Sequence, residues 1–79
     1  MAFAVVVEFE DEEELSPYEG GDTLESARRT LCEIVRAATK SKRNVHDADI
    51  YHDGGHLMNV PVAFLVASNQ WESWCGNPS

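Results

Sequence analysis

Residues 22–38 read DTLESARRTLCEIVRAA, and the spacing of their apolar side chains predicts the helix on which the fold depends. Asp22 followed by Glu25 has the spacing of a capping box, so the helix is expected to begin there. Charged side chains lie mostly on the other side, where a pair such as Glu25 and Arg29 adds a few tenths of a kcal/mol. The apolar stripe consists of Leu24, Ala27, Leu31, Ile34, Val35 and Ala38.

A strand is predicted before this helix. Residues 3–10 alternate between Phe3, Val5, Val7 and Phe9 on one side and smaller or acidic residues on the other. This period of two is typical of a half-buried strand. Glu8 and Glu10 are therefore expected to point to solvent together.

A hairpin is predicted after the helix, in residues 45–60, VHDADIYHDGGHLMNV. Asp53, Gly54 and Gly55 have the character of a turn. A three-residue loop places Ile50, Met58 and Val60 on one face, whereas a two-residue loop sets Ile50 opposite Asn59. The pattern favours three residues, which pairs His52 with His56, Tyr51 with Leu57, Ile50 with Met58 and Asp49 with Asn59.

A second helix is predicted after the hairpin. Pro61 suits the first helical position and Gly76 the position just past the end. Phe64, Ala67, Trp71 and Trp74 then share one face, and the two Trp side chains are expected in the core. The predicted fold is a single α+β domain, residues 1–79, in the order β-α-β-β-α, with a three-stranded antiparallel sheet packed by two helices. Residues 76–79 are predicted to be a flexible C-terminus.

Size, composition and cysteine content place the chain among small intracellular proteins. The 79 residues, 43% hydrophobic and 25% charged, allow one small core. The first seven residues lack the features of a signal peptide or a membrane span. Cys32 and Cys75 form no Cys-x-x-Cys pair, so reduced thiols and a cytoplasmic location are expected, with Cys75 the thiol more able to form an intermolecular bond.

Negative charge is concentrated at the N-terminus. The first 25 residues contain nine of the 14 acidic residues and none of the six Lys and Arg residues, so their formal charge of −9 exceeds the −8 of the whole chain. Residues 11–22, DEEELSPYEGGD, are predicted to be a long acidic loop, and loops of that length are often functional. Such a field repels nucleic acid and attracts basic protein surfaces.

Two interpretations of this charge remain open. It keeps a small protein soluble and blunts an edge strand, or it forms a docking surface for a basic partner. Carboxylates two residues apart on a strand lie roughly 6.6 Å apart, the same order as neighbouring phosphates on a nucleic-acid strand. The predicted partner-binding residues are Glu8, Glu10, Asp11, Glu12, Glu13, Glu14 and Glu19.

Other functions receive less support from the sequence. His52 and His56, if paired across the hairpin, could share a metal ion, although the sequence favours the interpretation that they are half-exposed polar residues on a hairpin. Residues 28–43 carry six positive charges and one negative, but the sequence pI of about 4.6 opposes direct nucleic-acid binding. No nucleophile and base occur at a recognisable spacing, and no nucleotide-binding motif is present, so neither an enzyme nor a cofactor is predicted.

In size, single-domain architecture and charge, the chain resembles the small phage-encoded inhibitors of bacterial defence, above all anti-CRISPR proteins that act as DNA mimics. The resemblance carries no motif residue by residue. It implies binding to a Cas protein or to a crRNA-guided surveillance complex in a bacterial cytoplasm. The inhibitor would keep target DNA out of the positively charged groove of that complex. An antitoxin-like partner of a basic protein is an alternative from the same pattern, and a monomer or weak homodimer is expected.

Overall fold

Four strands and three helices make up the described part of the chain. The computed structural model describes residues 2–10 and 17–76. The strands are β1 (Phe3–Phe9), β2 (Pro17–Gly21), β3 (Val45–His52) and β4 (Gly55–Val60), in one antiparallel sheet of order β2-β1-β3-β4. The helices are α1 (Leu24–Lys40), α2 (Val62–Ala67) and α3 (Trp71–Trp74). The predicted α+β class and antiparallel sheet are confirmed, whereas the predicted three strands and two helices are too few.

The core lies between one face of the sheet and the helices. Val5 and Ile50 of the sheet and Leu31 of α1 are completely buried, and together with their neighbours they form one apolar cluster. The molecule measures 33 × 32 × 18 Å, and its thin dimension fits one sheet layer with one helix layer. Four of the six residues of the predicted helix stripe are buried, but Leu24 is 39% exposed because it is the first residue of the helix.

Strand β2 was predicted to be loop, and that prediction is wrong for residues 17–21. The sequence PYEGG lacks the β-branched residues that favour strands, so the strand forms because β1 offers it a pairing edge. Pro17 stands at the first position, where a missing donor is tolerated. Gly20 lets β2 approach the helix, since an added Cβ would lie 3.0 Å from Cβ of Ala27. Residues 11–16 of the predicted loop lie outside the described residues.

Helix α1 begins at a capping box one residue later than predicted. The Ser26 amide donates to Oγ1 of Thr23 at 3.0 Å, and the Thr23 amide donates to Oγ of Ser26 at 3.3 Å. Asp22 is therefore not the cap. The predicted capping box of Asp22 and Glu25 is wrong. The hydroxyl groups of Thr23 and Ser26 accept the two reciprocal hydrogen bonds instead.

The β3–β4 hairpin keeps the predicted inner register and differs at its tip. Ile50 faces Met58 and Asp49 faces Asn59, as predicted. Nearer the turn, however, Tyr51 faces His56 and His52 faces Gly55, so the predicted pairing of His52 with His56 is wrong. Asp53 and Gly54 both have positive φ, 51° and 82°, and form a two-residue turn. The pairs near the turn are therefore offset by one residue from the pairs further along the hairpin. A bulge between Ile50 and Tyr51 accommodates this offset.

The predicted second helix is broken into α2 and α3. Asn69 has a φ of 60°, a left-handed conformation that ends a helix, and Oγ of Ser68 donates to the Phe64 carbonyl at 2.8 Å. Phe64 is 62% exposed, whereas the two Trp side chains, which were expected in the core, pack partly buried against it. Gly76 lies just past the end of α3, as predicted, and residues 77–79 of the predicted flexible terminus lie outside the described residues.

A disulfide joins Cys32 of α1 to Cys75, the residue that follows α3. The expectation of two reduced thiols is wrong, because the helix layer brings positions 43 residues apart in sequence to a Cα separation of 6.1 Å. Arg28 adds to this junction by stacking over the Trp74 ring and donating to the Trp74 carbonyl. No helix in residues 2–10 and 17–76 has both the length and the apolar character needed to cross a membrane.

Candidate functional site

The face of the sheet that points away from the helices is the candidate site, and we call it the open face. In β1, Val5 and Val7 are buried beneath the helices, so Ala4, Val6 and Glu8 project to the other side. The residues of this second face are half-buried or exposed, and none of them belongs to the buried core of the described residues. The open face is therefore the broad surface that the described helices leave uncovered.

Strand pairing arranges the open face in cross-strand rows. Directly opposed residues in an antiparallel sheet share a face, with Cβ atoms about 4.5–5.5 Å apart. The first row is Glu19, Ala4, Tyr51 and His56; the second is Pro17, Val6, Asp49 and Asn59; the third is Glu8 and Asp47. A strip of small, apolar and aromatic side chains thus borders a group of carboxylates.

Three carboxylates form what we call the acidic patch: Glu8, Asp47 and Asp49. Glu8 lies directly opposite Asp47, and Asp49 follows Asp47 on the same face at about 6.6 Å along the strand. Like charges directly opposite each other destabilise a sheet. All six Lys and Arg residues of the sequence lie outside the four strands, so no strand residue supplies a permanent positive charge to this face.

The side chains of Asn59 and His56 hold two carboxylates of the patch in place. Nδ2 of Asn59 donates to Oδ2 of Asp47 at 3.0 Å and to Oδ1 of Asp49 at 3.1 Å. Nε2 of His56 lies 2.9 Å from the same Asp49 oxygen. The Asn59 amide orients two carboxylates without neutralising them, because it carries no charge. Two of the three carboxylates of the patch are thereby ordered.

One carboxylate oxygen of Asp47 is expected to lower the stability of the fold. Its Oδ1 atom is shielded from solvent and has no hydrogen-bond partner among the described residues. A shielded carboxylate oxygen without a partner is destabilising. Together with the Glu8 opposite, this arrangement departs from what stability alone favours, and such departures concentrate at functional sites.

The structure brings some of the predicted partner-binding residues into this site and leaves others apart. Glu8 is in the acidic patch. Glu19 is on the open face but stands beside Ala4, roughly 14 Å from Glu8 by strand geometry. Glu10 lies just past β1, and its amide donates to the Asn44 carbonyl at 3.0 Å. The remaining four predictions, Asp11, Glu12, Glu13 and Glu14, lie outside the described residues.

Sequence reasoning missed Asp47 and Asp49 as members of the acidic surface. Their signal was present, because they alternate with Ala48 and Ile50 at the same period of two that identified β1. The neighbouring histidines drew attention to a metal site instead. Only the pairing of β3 with β1 places Asp47 beside Glu8, and that pairing is a long-range contact.

The geometry separates the two histidines of the metal hypothesis. His52 stacks on Phe3 on the helix side of the sheet, with ring centroids 4.4 Å apart. His56 lies edge-on to Tyr51 on the open face, at 5.3 Å between centroids. Within residues 2–10 and 17–76, no group of three or more His, Cys, Asp and Glu side chains is placed to hold a metal ion.

No protein-family model matches this sequence, and neither a curated protein nor a solved structure is significantly similar to it. What the chain does is therefore inferred from the open face itself.

Proposed function

We propose that this protein is a non-enzymatic interaction module whose open face binds a basic, nucleic-acid-handling protein in place of the nucleic acid. The observation that carries the proposal is the acidic patch. Glu8, Asp47 and Asp49 are held on one uncovered sheet face, and none of the strands carries a Lys or Arg. Carboxylates on strands that carry no Lys or Arg present a directed negative surface.

The open face also has the size and composition of a protein interface. The broad side of the molecule measures 33 × 32 Å, of the same order as the roughly 800 Å² that each partner contributes to a standard interface. Val6 and Tyr51 supply apolar and aromatic contact area beside the carboxylates. Aromatic side chains are enriched at such interfaces, so the face combines contact area with charge.

Within this proposal, the partner is of the kind blocked by DNA-mimicking anti-CRISPR proteins: a Cas protein or a crRNA-guided surveillance complex. Asp47 and Asp49 repeat along β3 at about 6.6 Å, a spacing of the order found between phosphates. Asp11, Glu12, Glu13 and Glu14, which follow Glu8 and Glu10 in the sequence, remain proposed partner-binding residues and lie outside the described residues. A partner groove that holds a nucleic-acid backbone is complementary to this pattern of charge.

The disulfide bears on where the protein acts. A bacterial cytoplasm keeps most thiols reduced, whereas Cys32 and Cys75 are joined in this structure. The bond belongs to the helix layer, on the other side of the sheet from the acidic patch. Binding through the open face is therefore expected to survive reduction of the bond, as long as the domain stays folded.

The test is competition with DNA. Purified crRNA-guided complexes of several types are mixed with fluorescent target DNA, and release of the DNA is followed by anisotropy as this protein is added. The proposal predicts displacement from at least one complex, with an inhibitory concentration that rises steeply between low and high salt. A parallel affinity pulldown from a bacterial host at the same two salt concentrations identifies partners of other kinds. The proposal is wrong if no complex releases DNA and no salt-sensitive basic protein is retained.

A further inference from the structure

The outer edge of β4 has no strand neighbour among the described residues. Strand β4 is the last strand of the sheet and pairs only with β3 among the described strands. Half of the backbone N–H and C=O groups of an edge strand point away from the sheet and have no partner within it. In β4, five of six residues are exposed or half-buried, and only Val60 is buried.

The two edges of the sheet differ in how they are protected. The β2 edge begins with Pro17, carries Glu19 and is paired with β1 through a bulge, all of which discourage further pairing. The β4 edge, GHLMNV, has no Lys, Arg, Asp, Glu or Pro. Its exposed side chains include Leu57, at 46% exposure. The bulge of β4 lies near the turn, so residues 58–60 keep a regular ladder with β3.

We infer that an extended basic segment of the partner adds to β4 as a fifth strand. This inference rests on the proposed function, because it names how the basic partner is held on the same face. Main-chain hydrogen bonds to the β4 edge supply affinity, and alternate side chains of the added strand project over the open face. Lys or Arg at those alternate positions points toward the acidic patch.

The distances suit this arrangement. An added strand lies roughly 4.8 Å from β4 and 9.6 Å from β3, which carries Asp47 and Asp49. A long basic side chain on the added strand crosses only the row of β4, where Asn59 and His56 stand. Asn59 already donates to both aspartates, so it marks the path along which a basic group would approach them.

Charge complementarity favours a basic segment over a second copy of this chain. Two β4 strands paired with each other would bring no Lys or Arg to the acidic patches, since β4 contains neither. Each copy also has a formal charge of −8, which opposes self-association. The occupant is therefore an extended segment with basic residues at every second position.

The test uses a seven-residue synthetic peptide, KTKTKTK, acetylated and amidated at its ends, with this protein in its disulfide form. The matched control is the same peptide N-methylated at every internal residue, which keeps the charge and removes the internal backbone donors. The inference predicts at least tenfold weaker binding of the control peptide by NMR titration. It also predicts at least tenfold slower hydrogen exchange at outward-facing amides of residues 55–60, with β2 unchanged.

Three results would overturn the inference: equal binding of both peptides, protection of β2 instead of β4, or no binding of either peptide. Concentration-dependent dimers with β4 amides protected before any peptide is added would overturn it as well. The double variant Asp47→Asn, Asp49→Asn separates the two proposals. If it weakens both peptides equally while N-methylation has no effect, the acidic face binds basic ligands and only the added strand is wrong. If neither change alters binding, the proposed function loses its support as well.

Discussion

The two sides of the sheet differ in the kind of side chain they carry: apolar on the helix side and partly acidic on the open face. On the helix side, Leu31 and Ile50 pack in the core, a disulfide joins α1 to the C-terminal segment, and Arg28 stacks on Trp74. On the open face, carboxylates stand opposite each other and no strand cation compensates them. The comparison shows that stabilising interactions are concentrated on one side, which leaves the other side free to carry charge that folding does not need.

The largest expected effect comes from breaking the core that supports both sides. Leu31→Ala removes a completely buried side chain from α1 and should cost about 3–5 kcal/mol, a large part of the stability of a domain this small. Urea unfolding followed by tryptophan fluorescence measures it. The exposed control Leu24→Ala should cost much less. Equal losses for the two variants would contradict the assigned core.

Loss of the disulfide should lower the stability of the fold and leave binding through the open face unchanged. Loss of the bond between Cys32 and Cys75 removes a cross-link between residues 43 apart, which by loop entropy is worth about 2–4 kcal/mol. Cys75→Ser should therefore lower the unfolding midpoint, measured by circular dichroism, as much as a reducing agent lowers that of the parent protein.

The same variant tests the independence of the open face. Below its unfolding midpoint, Cys75→Ser should bind a basic partner with the affinity of the parent. A tenfold loss of affinity in the folded variant would mean that the helix layer takes part in binding.

The start of α1 offers a smaller and more discriminating test. Thr23→Ala removes the cap that receives the Ser26 amide and should cost about 1 kcal/mol. Asp22→Ala should cost less, because Asp22 is not the cap. Chemical denaturation measures both variants, and the reverse order would restore the capping box expected from Asp22 and Glu25.

The smallest expected effect has the opposite sign. Glu8→Gln removes one of two like charges that face each other across β1 and β3, so it should stabilise the fold by about 0.2–1 kcal/mol. The matched control Glu25→Gln removes a carboxylate that lies 3.9 Å from Arg29 on exposed α1 and should not stabilise. Destabilisation by Glu8→Gln would show that the open face is not strained by its charge.

Periodic segments were predictable from the sequence because their cause is local. The alternation of residues 3–9 and the stripe around Leu31 follow from burial of one side, and the structure confirms both elements. The inner hairpin register was also correct, since Ile50 and Met58 needed to share a face. In each case the hydrophobic pattern determined the result.

The errors arose where the local structure depends on long-range contacts or on the backbone conformation of a single residue. β2 has no strand pattern of its own and forms against β1, the break at Asn69 depends on one positive φ, and the disulfide depends on the packing of α3. For the same reason, only one of the three residues of the acidic patch was predicted. Glu8 was recognised on β1, but Asp47 joins it only through the pairing of β3 with β1.

The most direct test of the central claim compares two triple variants of equal charge in the DNA-displacement assay. Glu8→Gln, Asp47→Asn, Asp49→Asn neutralises the acidic patch, whereas Glu25→Gln, Glu33→Gln, Glu72→Gln removes the same charge from the helix side. The account predicts at least a tenfold loss of binding for the first and less than a twofold change for the second. Equal losses would mean that net charge alone drives binding, and no loss in the first would contradict a binding role for the open face.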